Sequence, residues 1–159
     1  MDNPGSIPLQ VLILLVLCAL SAFFSASETA FMSFSKSKMK TEADDGSKKA
    51  KLVLAINDKY EKLLSTILIG NNIVNILATS LATVLFTSLI ANEELAITVS
   101  TVVMTLAILV FGEITPKTMA KKSANKLTKR ISKPMKLMMM LLHTCGSPLA
   151  GSYSPLVIT

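Results

Sequence analysis

Three groups of oxygen-bearing residues interrupt otherwise apolar stretches of this chain: Ser25-Ala26-Ser27-Glu28, Gly70-Asn71-Asn72 with Asn75, and Gly112-Glu113-Ile114-Thr115-Pro116-Lys117. Ser21, Ser25 and Glu28 are spaced by four and three residues, which places them on one helical face. Asn71, Asn75, Thr79, Thr83 and Thr87 follow one another at steps of four as a slowly winding polar stripe, and Gly70 permits close backbone approach. Pro116 has no amide hydrogen, so the carbonyl four residues earlier, that of Gly112, loses its helical partner, with Glu113 beside it. Collected, the donors are hydroxyls, amides, a backbone carbonyl and a carboxylate. Oxygen sets of this kind suit hard cations such as Mg²⁺, Ca²⁺, Na⁺ or Mn²⁺ and argue against Zn²⁺ or Cu⁺. A single carboxylate implies modest affinity for a divalent ion, as release requires.

Each group also has a plainer reading. Serine hydroxyls can bond back to their own helix while Ala22, Ala26 and Ala30 permit close helix packing. Threonine stripes often serve as glue between helices. The asparagines are harder to dismiss, because an amide is costly to desolvate and needs several partners at once. For the third group the plainer reading is a Pro-kinked helix end whose Glu113 and Lys117 reach the headgroups. The sharper one is uncoiled backbone lining a cavity at membrane depth.

The elements that carry these groups are membrane spans. The chain has 159 residues, 51% of them hydrophobic and only 16% charged, with charge excluded from whole segments. Span one is expected from about Ile7 to Phe34, span two from Leu63 to Ile90, and span three from Leu95 to Phe111 with a polar continuation. At about 1.5 Å per residue each can cross a hydrocarbon core of roughly 30 Å. The first is long and lacks a basic leading region, so it reads as a retained span and not a secretory signal.

Loop charge orients them. Between spans one and two lie eight Lys and five acidic residues, between two and three only Ala91, Asn92, Glu93 and Glu94, and from Lys117 to Lys136 eight basic residues and no acid. Basic loops stay in the cytoplasm, which puts the N-terminus outside, the Lys36 to Lys62 linker inside, the Glu93-Glu94 turn outside and the Lys117 to Lys136 segment inside a cell (plasma) membrane. All three polar groups then fall in the cytoplasmic half of the bilayer. The net charge of +6 is explained by these two blocks beside apolar spans, which fit an anionic inner leaflet better than nucleic acid.

Within the linker, a break is expected at Asp44-Asp45-Gly46-Ser47, followed by Leu52, Ile56, Tyr60 and Leu63 at the spacing of an amphipathic helix on the inner membrane face. The stretch from Leu137 to Ile158 is apolar but punctuated by Gly146, Pro148, Gly151 and Pro155, which suits a span or a shallow segment alike. Cys18 and Cys145 form no disulfide framework or paired thiolate motif and read as packing residues, as do Met138 to Met140 and His143. The fold class expected is therefore an all-α membrane protein: three transmembrane helices with polar breaks plus amphipathic and juxtamembrane helices.

Phe24-Ser25-Ala26-Ser27-Glu28-Thr29-Ala30, Gly70-Asn71-Asn72-Ile73-Val74-Asn75 and Gly112-Glu113-Ile114-Thr115-Pro116-Lys117 together resemble the transmembrane domain shared by bacterial and archaeal CorC proteins and the animal cyclin M (CNNM) proteins. The resemblance implies a homodimer, each protomer with three transmembrane helices and a juxtamembrane helix, and a Mg²⁺ site opening to the cytoplasm. It implies Mg²⁺ export, proposed to be coupled to Na⁺ entry. By carry-over the Mg²⁺ ligands would be Ser21, Ser25, Asn71, Gly112 through its carbonyl, and Glu113, supported by Asn75, Asn72 and Glu28. Relatives normally continue into cytosolic CBS modules and often a further small domain. Residues 1–159 are thus expected to be the transmembrane domain alone, a truncation whose apolar C-terminal segment is the juxtamembrane helix.

The rival reading from another class is a membrane anchor or sensor for those cytosolic modules, with the polar residues holding two protomers together. An enzyme is not expected, because no nucleophile with a base and no acid and base pair can be assembled from these residues.

Overall fold

The computed structural model describes the backbone of residues 6–150 and the side-chain surroundings of residues 7–142. Helix α1 runs from Ser6 to Ser33, α2 from Lys36 to Asp44, α3 from Lys48 to Asn57, α4 from Tyr60 to Leu89 and α5 from Glu93 to Ala107. A π-helical stretch, Ile108–Ile114, continues α5 directly into α6, Thr115–Lys122, and α7 covers Ala124–Ala150.

Three of the breaks between helices have a local cause. Ser35 opens α2 by accepting from the Lys38 amide at 3.3 Å. Gly46, at φ +94°, makes the left-handed turn that ends α2, and Ser47 then caps α3 through the Ala50 amide at 3.3 Å. Asn92 caps α5 by accepting from the Leu95 amide at 3.1 Å, and Glu93 and Glu94 fill its first turn, where the helix dipole favours negative charge. The few residues between α4 and α5 force the two helices to run antiparallel.

Three continuous helices are long and apolar enough to cross a membrane: Ile7–Ser33, Tyr60–Leu89 and Glu93–Lys122. Large apolar side chains on all of them remain exposed, among them Leu12, Leu15, Leu68, Ile76, Val102 and Leu106. Exposure on that scale belongs to a surface whose solvent is lipid. Helix α1 is the central element, packing on α4, on the π-helical stretch, on α6 and on α7.

Two apolar clusters hold the helices together. The larger, toward the basic end, contains Phe24, Phe31, Met39, Val53, Ile67 and Met135. The smaller, toward the Glu93-Glu94 turn, is built from Ala78, Ala82, Met104 and Ile108, with Leu14, Leu17 and Cys18 packed against it. At the basic end α7 is tied down by polar contacts as well: Asn125 Oδ1 accepts from the Ser35 amide at 2.8 Å, and Lys129 reaches Glu42 at 2.6 Å.

Two expectations are corrected. The backbone around Gly112 to Pro116 does not uncoil; it widens into a π-helix and passes into α6 without a gap. Leu52, Ile56, Tyr60 and Leu63 do not share one helix, since α3 ends at Asn57 and Tyr60 begins α4. The buried face of α3 is Ala50, Val53 and Ile56, and the helix packs against α7. Helix α7 extends through Gly146 and Pro148 to Ala150. The readings placed on the side chains of His143 and Cys145 and on Gly151 and Pro155 lie outside the described residues.

Candidate ion site between the spans

The site begins with a hydroxyl on α1. Ser21 is 1% exposed, and its Oγ donates to Asn71 Oδ1 on α4 at 3.2 Å. A Cβ placed on Gly112 would come within 2.9 Å of the same Oγ, so the third span presents bare backbone to it. Ser21, on the same helical face as the first polar group, thus meets one residue from each of the other two, and the three are carried by three different spans. The meeting is possible because α1 and α4 approach closely one turn away, where the Phe24 ring lies directly over Gly70. A Cβ there would fall 2.3 Å from the ring, which is the close approach that Gly70 was expected to permit.

Two further predicted residues flank this point with unsatisfied oxygens. Ser25, one turn beyond Ser21, is 1% exposed, and its Oγ has no hydrogen-bond partner. Asn75, one turn beyond Asn71, has its Oδ1 buried and likewise unpartnered. Leaving such a group unpaired costs roughly 1–3 kcal/mol, so native structures keep few of them, and these two stand on either side of the Ser21–Asn71 pair along the helix axes. Ser21 Oγ retains its own lone pairs while donating to Asn71. The cluster thus offers buried oxygen acceptors that a cation or water could meet, alongside the hydroxyl and amide donors of the same residues.

The π-helical stretch shapes the third wall. In it the Thr115 amide donates to the carbonyl of Val110, a step of five residues in place of four. Pro116 would have served Phe111 in a five-residue step or Gly112 in a four-residue one, so its missing amide falls where the register changes. Gly112 is buried against Ser21, and Glu113, next to it, is half-buried and makes no ion pair among the described residues. No group of three or more His, Cys, Asp or Glu side chains gathers anywhere among the described residues. Neutral oxygens would therefore supply most of any coordination.

The other candidates are placed differently. Glu28 turns toward α6, where its carboxylate meets Lys117 Nζ at 3.2 Å, both side chains being more than a third exposed. Asn72 is exposed on α4. Ser27 bonds back to the Phe23 carbonyl at 2.6 Å, and Thr79, Thr83 and Thr87 bond back to α4, as the plainer reading had it. Thr83 also reaches Ser100 Oγ on α5 at 3.3 Å, joining the second and third spans.

Sequence reasoning passed over Ser100 and Gln10. Ser100 is 1% exposed, and Gln10 has a buried, unpartnered Oε1. The signal for Gln10 was available, since it is the one amide within the apolar run of α1.

Residues 12–157 match the family model described as the cyclin M transmembrane N-terminal domain. A UPF0053 protein of Haemophilus influenzae is 43% identical over 125 residues, covering 77% of this chain and 29% of the relative. The UPF0053 inner membrane protein YfjD of Escherichia coli is 38% identical over 126 residues, with the same coverage of 77% and 29%. A chloroplastic DUF21 domain-containing protein of Arabidopsis thaliana is 36% identical over 137 residues, which are 86% of this chain and 20% of that protein. The chain thus spans less than a third of the length of each of these relatives.

Proposed function

The chain belongs to the cyclin M transmembrane domain family and is a multi-pass membrane protein, and from that premise we propose that it is a Mg²⁺ transporter domain. Its task in this reading is Mg²⁺ export, with Na⁺ entry as the coupling flow. The observation that carries the reading is the meeting of Ser21, Asn71 and Gly112 beside the two unpartnered oxygens of Ser25 and Asn75. The proposed ligands are Ser21, Ser25, Asn71, the Gly112 carbonyl and Glu113, with Asn75 in support. Mg²⁺ gives up its hydration shell reluctantly, so neutral oxygens with one carboxylate would hold a partly hydrated ion loosely enough to let it leave.

The proposed setting is a homodimer in the plasma membrane, with the N-terminus outside and the basic helices at the cytoplasmic face beside an anionic leaflet. Cytosolic CBS modules would follow in the full-length protein. The test is Mg²⁺ efflux from loaded cells expressing the chain: wild type lowers internal Mg²⁺, and Asn71→Ala does not. Equal efflux from both would remove the cluster from the pathway.

A second reading is a membrane anchor or sensor for cytosolic modules. It is favoured by the large part of each relative that lies beyond the matched segment. An anchor moves no ion, and substitutions in its polar cluster should dissociate protomers instead of altering efflux.

A further inference from the structure

The basic end holds a feature that the ion site does not use. Between α3, the first turn of α4 and α7 lies an open groove of about 380 Å³. Leu52, Ile56 and Met139 make its apolar floor, Lys59, Lys62 and Lys136 stand around it, and no carboxylate is among its lining residues. A groove with this lining asks for a ligand that is apolar along one side and anionic at one end.

Its position narrows the choice. Lys59 and Lys62 immediately precede Leu63, where the apolar run of the second span begins, so the rim stands at the level where hydrocarbon gives way to headgroups. Lys136 faces them from α7, just before the apolar run Leu137 to Leu142. Lysines meet phosphate oxygens as point charges, and long lysine stems can lie along an apolar surface. The volume suits a phosphorylated headgroup with the upper part of one acyl chain, the remainder continuing along the exposed apolar faces of the spans.

We propose that this groove is a specific binding site for an anionic phospholipid, whose phosphate lies among Lys59, Lys62 and Lys136 and whose chain covers Leu52, Ile56 and Met139. Occupancy would join α3, α4 and α7 through one lipid molecule, at the end of the helices from which the second span rises toward Asn71. The site stands apart from the ion cluster and does not depend on transport.

The test is native mass spectrometry of the chain in detergent, with dioleoylphosphatidylglycerol or dioleoylphosphatidylcholine added at equal concentration. Wild type should retain the glycerol lipid in preference to the choline lipid. The double variant Lys59→Gln/Lys136→Gln should lose that retention by roughly thirtyfold, about fivefold for each lysine near an anionic headgroup. All three lysines and the controls are exposed, so the variants should keep wild-type helicity by circular dichroism. Lys121→Gln/Lys122→Gln, which removes the same charge from α6, should retain the lipid. Equal loss in both double variants, equal retention of the two lipids, or displacement by millimolar inorganic phosphate would each overturn the proposal. So would a change in protomer association without a change in lipid count, which would make the occupant a second copy of the chain.

Discussion

Ser21 and Asn71, 50 residues apart in sequence, meet at 3.2 Å across the interface of the first two spans, and the third span lays Gly112 against the same hydroxyl. The hydrogen bond uses the Ser21 hydroxyl proton and one acceptor position on Asn71 Oδ1, and the buried oxygens of Ser25 and Asn75 lie one turn along α1 and α4 from it. Water or a cation among them would satisfy these atoms.

Glu113→Ala should abolish Mg²⁺ efflux while expression and helicity stay at wild-type levels. Glu113 is half-buried and makes no ion pair among the described residues, so its removal orphans no partner. Efflux measured with a fluorescent Mg²⁺ indicator decides the matter, and unaltered efflux would remove Glu113 from the ligand set.

Mg²⁺ should raise the melting temperature in detergent, because a ligand bound only by the folded state stabilises it by about 2.7 kcal/mol at ~100 times its Kd. Asn71→Ala should blunt the rise. Ser25→Ala should behave more tellingly: without Mg²⁺ the variant should be as stable as wild type or more so, by up to ~1 kcal/mol, since an unpaired buried hydroxyl is removed. With Mg²⁺ it should gain less. A variant destabilised equally in both conditions would mean that Ser25 serves packing alone.

The two close-approach glycines should respond differently to a methyl group. Gly70→Ala drives Cβ into the Phe24 ring and should cost about 1–3 kcal/mol, recovered in part by Phe24→Leu. Gly112→Ala meets chiefly the Ser21 hydroxyl at 2.9 Å, which can turn aside, so efflux should fall with little loss of melting temperature. Parallel melting and efflux measurements separate the two, and equal thermal loss in both would contradict the difference.

The ion pair between Glu28 and Lys117 is more than a third exposed on both sides and should be worth no more than about 1 kcal/mol. Lys117→Gln should leave the melting curve almost unchanged. Lys129→Gln, which breaks a shorter and better-buried pair with Glu42, should lower it more. Reversal of that order would mean that the α1–α6 contact matters more than its exposure allows.

Membrane orientation is open to direct labelling. In a background with Cys18 and Cys145 replaced by Ala, Glu94→Cys should react with an impermeant maleimide on intact cells, and Lys49→Cys only after permeabilisation. The opposite pattern would invert the topology and turn the basic helices outward.

That Ser21, Asn71 and Gly112 lie together was legible in the sequence, because an apolar stretch drives a polar residue to seek others at its own depth. Gly46 and Ser47 marked the linker turn for a similarly local reason: one supplies a left-handed backbone and the other a cap. The state of the third span was less legible. Pro116 announces a lost hydrogen bond, but a helix can answer by uncoiling, kinking or changing its step, and tertiary packing against α1 decides which. The direction of Glu28 followed from that outcome, since its partner Lys117 lies just past the change of step. Likewise the spacing of Leu52, Ile56, Tyr60 and Leu63 ran across a helix boundary, because periodicity records which side chains are apolar and not whether the backbone between them turns a corner.

The widened turn at Ile108–Ile114 makes the third span a frame-sensitive object. Excising a single residue between Leu109 and Phe111 would let it relax to an ordinary α-helix with the downstream faces kept, whereas excising one from α5 would swing everything downstream by about 100° about the axis. Ala120 would leave its buried seat and Lys117 would turn away from Glu28. A one-residue deletion within the widened turn should therefore be better tolerated than the same deletion in α5.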